Sequence, residues 1–323
     1  MHKRYFYSFS LLLGASLLLL SSCLKDDYTK QANAEIDQIK AYVNAHYPGA
    51  KVESDGFCYI KTQNGTIADT AKLTSDYVVI QYTGKFTDGT IFDSNDTTVQ
   101  LSYGYNPAFR TRGPLTYNMG TFTWGLGKGI SQMGEGGKAV IIIPSTLTPT
   151  VNFQPRIYEV QLLKVYHDIA TSRKQEFAKM IDSLGFQLKD STKHGSFATY
   201  FGDTAKKYTA KPGDTVRIKY YGYLLDSVSN SIVKRRLYFT QDTIIPLPQD
   251  TSLIFQDALM NMKRGWNANV YVPYYRGYGP NILPYYNTGQ ILVPPYSNLM
   301  FHVELIGFLT KKNGVLVDDT SKN

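Results

Sequence analysis

From Leu11 to Leu20 the chain is apolar or small at every position, a run shorter than a bilayer span, with Lys3 and Arg4 ahead of it and Leu20-Ser21-Ser22-Cys23 behind it. A basic start, a short apolar stretch and small residues make a secretory leader. Beyond it, Ile36, Ile39 and Val43 recur at helical spacing until Pro48-Gly49. The pattern then changes period. VVIQYTGKFTDGTIFDS, residues 78–94, alternates in twos around Asp88-Gly89 and predicts a hairpin. A second helical stripe, Phe177, Met180, Ile181 and Leu184, is expected to open near Ser172, with Gln175 in capping-box position, and to stop at Gly185. A last strand, LMFHVELIGF, runs from Leu299 to Phe308.

These patterns occur twice. Each helical stripe precedes a β-rich block; Asp55-Gly56-Phe57 leads by 28 residues to Gly84 in one block, and His194-Gly195-Ser196 leads by 27 to Gly222 in the other. Within each block the order is strand, turn, strand, long connection, short helix, Gly-containing turn and two further strands. That order predicts an α+β fold with an antiparallel sheet in each half. The expected boundaries are a leader at 1–22, a tether and helix at 23–48, a first domain at 49–167, a linker helix at 168–190, a second domain at 191–310 and a C-terminal tail at 311–323.

Composition narrows the function classes. With 323 residues, two cores of ordinary size are expected. Hydrophobic residues at 43% and charged residues at 19% exclude a disordered chain or a coiled coil. The 26 Tyr and 16 Phe suit strands and contact surfaces that offer a ring and a hydroxyl together. Net charge is +8, two of it in the leader, and the basic residues are scattered apart from Lys234-Arg235-Arg236 and two Lys pairs, which is too little for a nucleic-acid stripe. The glycines from Gly125 to Gly137 do not make a phosphate loop, because Gln132 and Ala139 stand where such a loop needs Gly and Ser or Thr. The five histidines lack paired ligand spacing. No cofactor and no metal is expected, and Cys58 reads as a small core hydrophobe.

Two resemblances give these patterns a meaning. Leu20-Ser21-Ser22-Cys23 resembles the bacterial lipobox, which implies an acylated Cys23 as mature N-terminus, and Leu24 after it is similar to the outer-membrane sorting pattern. Acyl chains on one residue anchor a protein stably without a spanning helix. An outer-membrane, lipid-anchored location follows, on the periplasmic or the surface side. The run 78–94, WGLGKGISQMGEGGKAVIIIP at 124–144, ALMNMKRGWNANVYVP at 258–273, then Tyr278-Gly279 and Val293-Pro294-Pro295, resemble the FKBP-type prolyl isomerases. The resemblance implies two FKBP-like domains, each an antiparallel half-barrel sheet around a short helix, with a helix preceding each.

Rotating a prolyl bond meets a barrier of about 18–20 kcal/mol because amide resonance is lost. No nucleophile is required; an apolar, aromatic-walled pocket that takes the proline ring and favours the twisted amide is sufficient. By resemblance, the first pocket is Tyr82, Phe92, Asp93, Phe122, Leu126 and Tyr158. Leu126 stands where the family has Trp, and STLTPTVNFQP replaces its long flap. The second pocket is Tyr220, Phe255, Tyr278, Val293 and Phe301, with Val233-Lys234 near the place of the missing Phe-Asp pair and an enlarged flap, YYRGYGPNILPYY. Two roles fit. One is a membrane-anchored isomerase and folding factor for proline-containing exported or outer-membrane polypeptides; the other is a non-catalytic docking subunit of an envelope complex.

Overall fold

A computed structural model of the chain describes residues 27–71, 75–102, 113–149, 151–186, 191–192, 195–226, 233–247, 254–284 and 291–322. The leader, Cys23 and the last two residues of the enlarged flap, Tyr285 and Tyr286, lie outside these. The described residues divide into two compact units. One takes those up to Ser75 together with Ile80–Ser94 and Asn118–Val165; the other takes Asp76–Val79, Asn95–Tyr117 and everything from Tyr166 onward.

A helix, α1, runs through residues 27–46. The elements that follow are β1 (Cys58–Gln63), β2 (Thr66–Thr70), β3 (Tyr77–Lys85), β4 (Ile91–Ser94), the short helix α2 (Thr97–Ser102), β5 (Leu115–Asn118), α3 (Trp124–Ile130), β6 (Gly134–Glu135), β7 (Lys138–Ile143) and β8 (Arg156–Tyr166). The first sheet has the order β1-β7-β8-β3-β4, with β5 beside β3, while β2 and β6 form a separate ribbon. Its predicted hairpin is present: β3 and β4 pair antiparallel, Gly89 takes a φ of +85°, and the Asp88 carboxylate accepts the Thr90 N–H at 2.8 Å. Those hydrogen bonds hold the Asp88 carboxyl below its ordinary range.

Alternation along β7 decides what each face covers. Ile141 and Ile143 meet α3, where a Cβ on Gly129 would stand 2.6 Å from Ile141 and one on Gly125 would stand 2.4 Å from Ile143. The helix can lie this close only because those positions carry no side chain. The other face, with Val140, Ile142, Cys58 and Ile157, buries under Ile39 and Val43 of α1. Cys58 is thus a packed core residue, and burial pushes its thiol up.

The second sheet repeats the plan. Its elements are α4 (Ile169–Ser183), β9 (Phe197–Phe201), β10 (Thr215–Asp226), β11 (Val233–Pro246), α5 (Gln256–Leu259), β12 (Asn267–Val272), β13 (Leu283–Pro284), β14 (Ile291–Val293), β15 (Asn298–Lys312) and β16 (Val315–Asp318). Strand order is β11-β10-β15-β12-β9, with β16 beside β15 and β13 paired to β14. Read from β9, it matches the first sheet strand for strand. As α1 does on the first sheet, α4 covers the outer face here, Phe177 and Ile181 packing on Phe197, Tyr271 and Met300.

Two details differ from the sequence reading. Helix α4 starts at Ile169 rather than near Ser172, because the Asp168 side chain accepts the Thr171 N–H at 3.0 Å and caps the helix earlier. It ends as expected, at Leu184 before Gly185 with φ +79°. The segment after 310 is also ordered. β16 adds to the sheet, Arg264 pairs with Asp318 at 2.9 Å, and Lys322 reaches buried Asp214 at 2.6 Å.

Candidate active site

In the first unit β3 delivers Tyr82, β4 delivers Phe92 and Asp93, and β8 delivers Tyr158. The Tyr82 hydroxyl donates to Asp93 Oδ2 at 2.6 Å. The Phe92 and Tyr158 rings meet edge to face at 5.5 Å and 85°, with Tyr82 6.2 Å from Tyr158 and Phe86 4.9 Å from Phe92. Gly84 makes this possible: a Cβ there would stand 2.7 Å from the Phe92 ring and 3.3 Å from Tyr158. Tyr82, Phe92, Asp93 and Phe122 stay half-buried, whereas Tyr158 and Leu126 are buried. Tyr158 therefore gives the cluster a buried base, and Tyr82, Phe92 and Asp93 give it a wall that solvent reaches. Burial pushes the Tyr158 phenol up, and the neighbouring Arg156 guanidinium opposes the rise.

The loop that stands in for the flap is tied down. Ser145–Leu147 forms a single 3-10 turn in which Ser145 is fully buried. Glu35 of α1, also buried, accepts the Ser145 N–H at 2.7 Å and its hydroxyl at 2.8 Å, and Ser145 Oγ in turn accepts the Phe153 N–H at 2.9 Å. Phe153 sits at φ +52°, a conformation an aromatic residue keeps only when its surroundings impose it. Neither Glu35 nor Arg156 was among the residues read from sequence. Arg156 had a signal, lying two residues before Tyr158 on one strand and so on the same face. Glu35 had none, since its partner is far away in sequence.

The second unit brings its five residues together differently. Tyr220 and Phe255 rings lie 4.7 Å apart, Phe255 and Phe301 4.8 Å, and Tyr220 and Phe301 6.4 Å. Exposure is 5% for Tyr220, 2% for Phe255, 3% for Phe301 and 0% for Val293. These side chains are part of the hydrophobic core, and the flap residues Tyr278 and Leu283, with Leu292 of β14, pack against it. Burial, reinforced by the Tyr278 hydroxyl, pushes Tyr220 up to about 12. Its hydroxyl donates to Gln241 Oε1 at 2.9 Å. Val233 and Lys234 do not face it: they pair with Asp226 and Leu225 at the other end of the β10–β11 ribbon, and Tyr220 stands opposite Gln241. The place of the carboxylate is taken by a neutral amide.

Among the described residues no group of His, Cys, Asp and Glu is arranged to hold a metal, and no helix is long and apolar enough to cross a membrane. What the clusters offer is rings, hydroxyls and one carboxylate, a set able to enclose an apolar ring but not to attack a bond.

The model of the FKBP-type peptidyl-prolyl cis-trans isomerase family matches residues 69–148 and again 206–306. A probable FKBP-type peptidyl-prolyl cis-trans isomerase, FkpA, of Neisseria meningitidis serogroup B is 30% identical over 117 residues, which is 36% of this chain and 38% of that protein. The chain thus spans well under half of the relative's length. Among solved structures, FkpA from Escherichia coli aligns with TM-score 0.32 and 24% identity over 49% of this chain and 71% of that one. The three FKBP domains of wheat FKBP73 align with TM-score 0.29 and 14% identity over 81% and 100%.

Proposed function

Because the chain belongs to the FKBP-type peptidyl-prolyl cis-trans isomerase family, we propose that it is a lipid-anchored prolyl isomerase with two tandem FKBP-like domains, acting as a folding factor on exported or outer-membrane polypeptides, and that turnover resides in the first unit. The observation that carries this reading is the half-open cluster of Tyr82, Phe92, Asp93 and Tyr158, in which the Tyr82–Asp93 hydrogen bond fixes a polar edge beside an apolar base.

Catalysis there needs no covalent step. A proline ring lodged against Phe92, Tyr158 and Leu126 leaves water behind. The twisted amide, whose nitrogen and carbonyl no longer share electrons, is less dependent on solvent than the planar one and is favoured in such a site. The second unit, with its rings filled by one another and by the flap, acts as a binding module. That division keeps the docking role alive for one half of the molecule. Anchoring rests on Cys23, which lies outside the described residues; loss of labelled palmitate incorporation in Cys23→Ala would support the anchor, and retained incorporation would remove it.

The test of function is a protease-coupled assay on a Pro-containing peptide with the full chain. Tyr82→Ala abolishes the catalysed phase and Tyr278→Ala retains it. No rate above the uncatalysed one in the wild type leaves only docking.

A further inference from the structure

Arg156 opens β8 on the same face as Tyr158, two residues on, while Ile157 between them is buried under α1. Its guanidinium carbon lies 5.8 Å from the centroid of the Phe92 ring, at the open wall of the first cluster. A cation over an aromatic face is held by the ring's quadrupole and leaves its N–H fork free at the edge.

What is notable is its charge balance. Glu159, the carboxylate nearest along the strand, lies on the opposite face and pairs with Lys85. Asp93 is engaged by the Tyr82 hydroxyl. Among the described residues Arg156 forms no ion pair. Both Asp93 and Arg156 act on the Tyr158 phenol, and Arg156 acts more strongly. A half-buried guanidinium that spends part of its five-donor fork on the Tyr158 hydroxyl and has no carboxylate partner among the described residues is a recognition element for a carboxylate.

We propose that Arg156 is a specificity-determining residue of the first pocket, selecting prolyl peptides that carry an acidic side chain next to the proline and disfavouring those with a basic one. This rests on the isomerase reading for its pocket, not for its chemistry, since binding alone suffices to detect it. The guanidinium borders the ring that would receive proline, so only the residues flanking that proline come within its reach. A partly exposed pair of this kind is weak, and the like-charged case is unfavourable by a similar amount, so the spread between Glu and Lys peptides at low salt is expected to be roughly tenfold.

The test uses the full chain and three peptides differing only in the residue before proline, Glu, Ala or Lys. Dissociation constants come from NMR titration and exchange rates from the same samples. The wild type should bind in the order Glu, Ala, Lys, with the spread narrowing in molar salt. Arg156→Gln should flatten the order, Arg156→Lys should restore it in part, and Arg156→Glu should invert it. An identical Glu-to-Lys ratio in wild type, Arg156→Gln and Arg156→Glu overturns the proposal. Charge-ordered binding without any catalysed exchange supports Arg156 and removes the isomerase activity, and absence of binding to all three peptides overturns both.

Discussion

The same positions of one family plan have opposite fates in the two units. Tyr82 and Tyr220 start from equivalent strands, β3 and β10, and each donates its hydroxyl to the neighbouring strand. In the first unit the acceptor is a carboxylate, the Tyr82 and Phe92 rings are half-buried, and the turn after β7 is tied to Glu35. In the second the acceptor is an amide, the rings are core, and a flap packs on them. A half-buried cluster and a core are made from the same residue types. What separates them, among the described residues, is that flap residues pack on the second set of rings while Tyr82 and Phe92 keep solvent contact.

The largest test of this difference is stability. Phe255→Ala removes a ring that is 2% exposed and should cost about 3–5 kcal/mol, whereas Phe92→Ala, at a wall open to solvent, should cost less than half of that. Urea denaturation of the two variants measures both. Equal losses would mean that the first cluster is as much a core as the second.

Tyr220 sharpens the comparison through pH. Its folded value of about 12 lies above the ordinary 10, so its contribution is complete below pH 10 and is lost as pH rises toward 12, because the unfolded chain releases the proton first. The loss amounts to as much as ~3 kcal/mol at about 1.4 kcal/mol per unit. Urea melts between pH 9 and 12 should show a steeper fall for wild type than for Tyr220→Phe; parallel curves would mean that the phenol is as free in the fold as in water.

Glu35 gives the smallest effect and concerns the rim. Glu35→Ala leaves the buried Ser145 N–H and hydroxyl without their acceptor and should cost about 1–3 kcal/mol. Hydrogen exchange should quicken at the Ser145 and Phe153 amides while the Tyr220 amide keeps its protection. Unchanged exchange at Ser145 would show that α1 does not hold the rim.

Much of this was legible in the chain. Period-two alternation around Asp88-Gly89, the helical stripes and the repeated Gly spacing give the α+β plan because each is a local signal with one physical cause. The clustered aromatic residues could be listed, but their solvation could not. Whether a Phe is wall or core depends on what covers it, and that is decided by contacts far apart in sequence, such as the flap with the core that holds Phe255. Gln241 escaped for a related reason. The long β10–β11 ribbon shifts the partner of Tyr220 well past Val233-Lys234, and spacing alone did not reveal that register.

The central claim is that a proline ring enters the first cluster and not the second. Intermolecular NOEs between a Pro-containing peptide and the full chain, labelled on Phe and Tyr rings, test it most directly. The account predicts contacts from the proline ring to Phe92 and Tyr158 and none to Phe255 or Phe301. Contacts confined to Phe255 and Phe301 would contradict it.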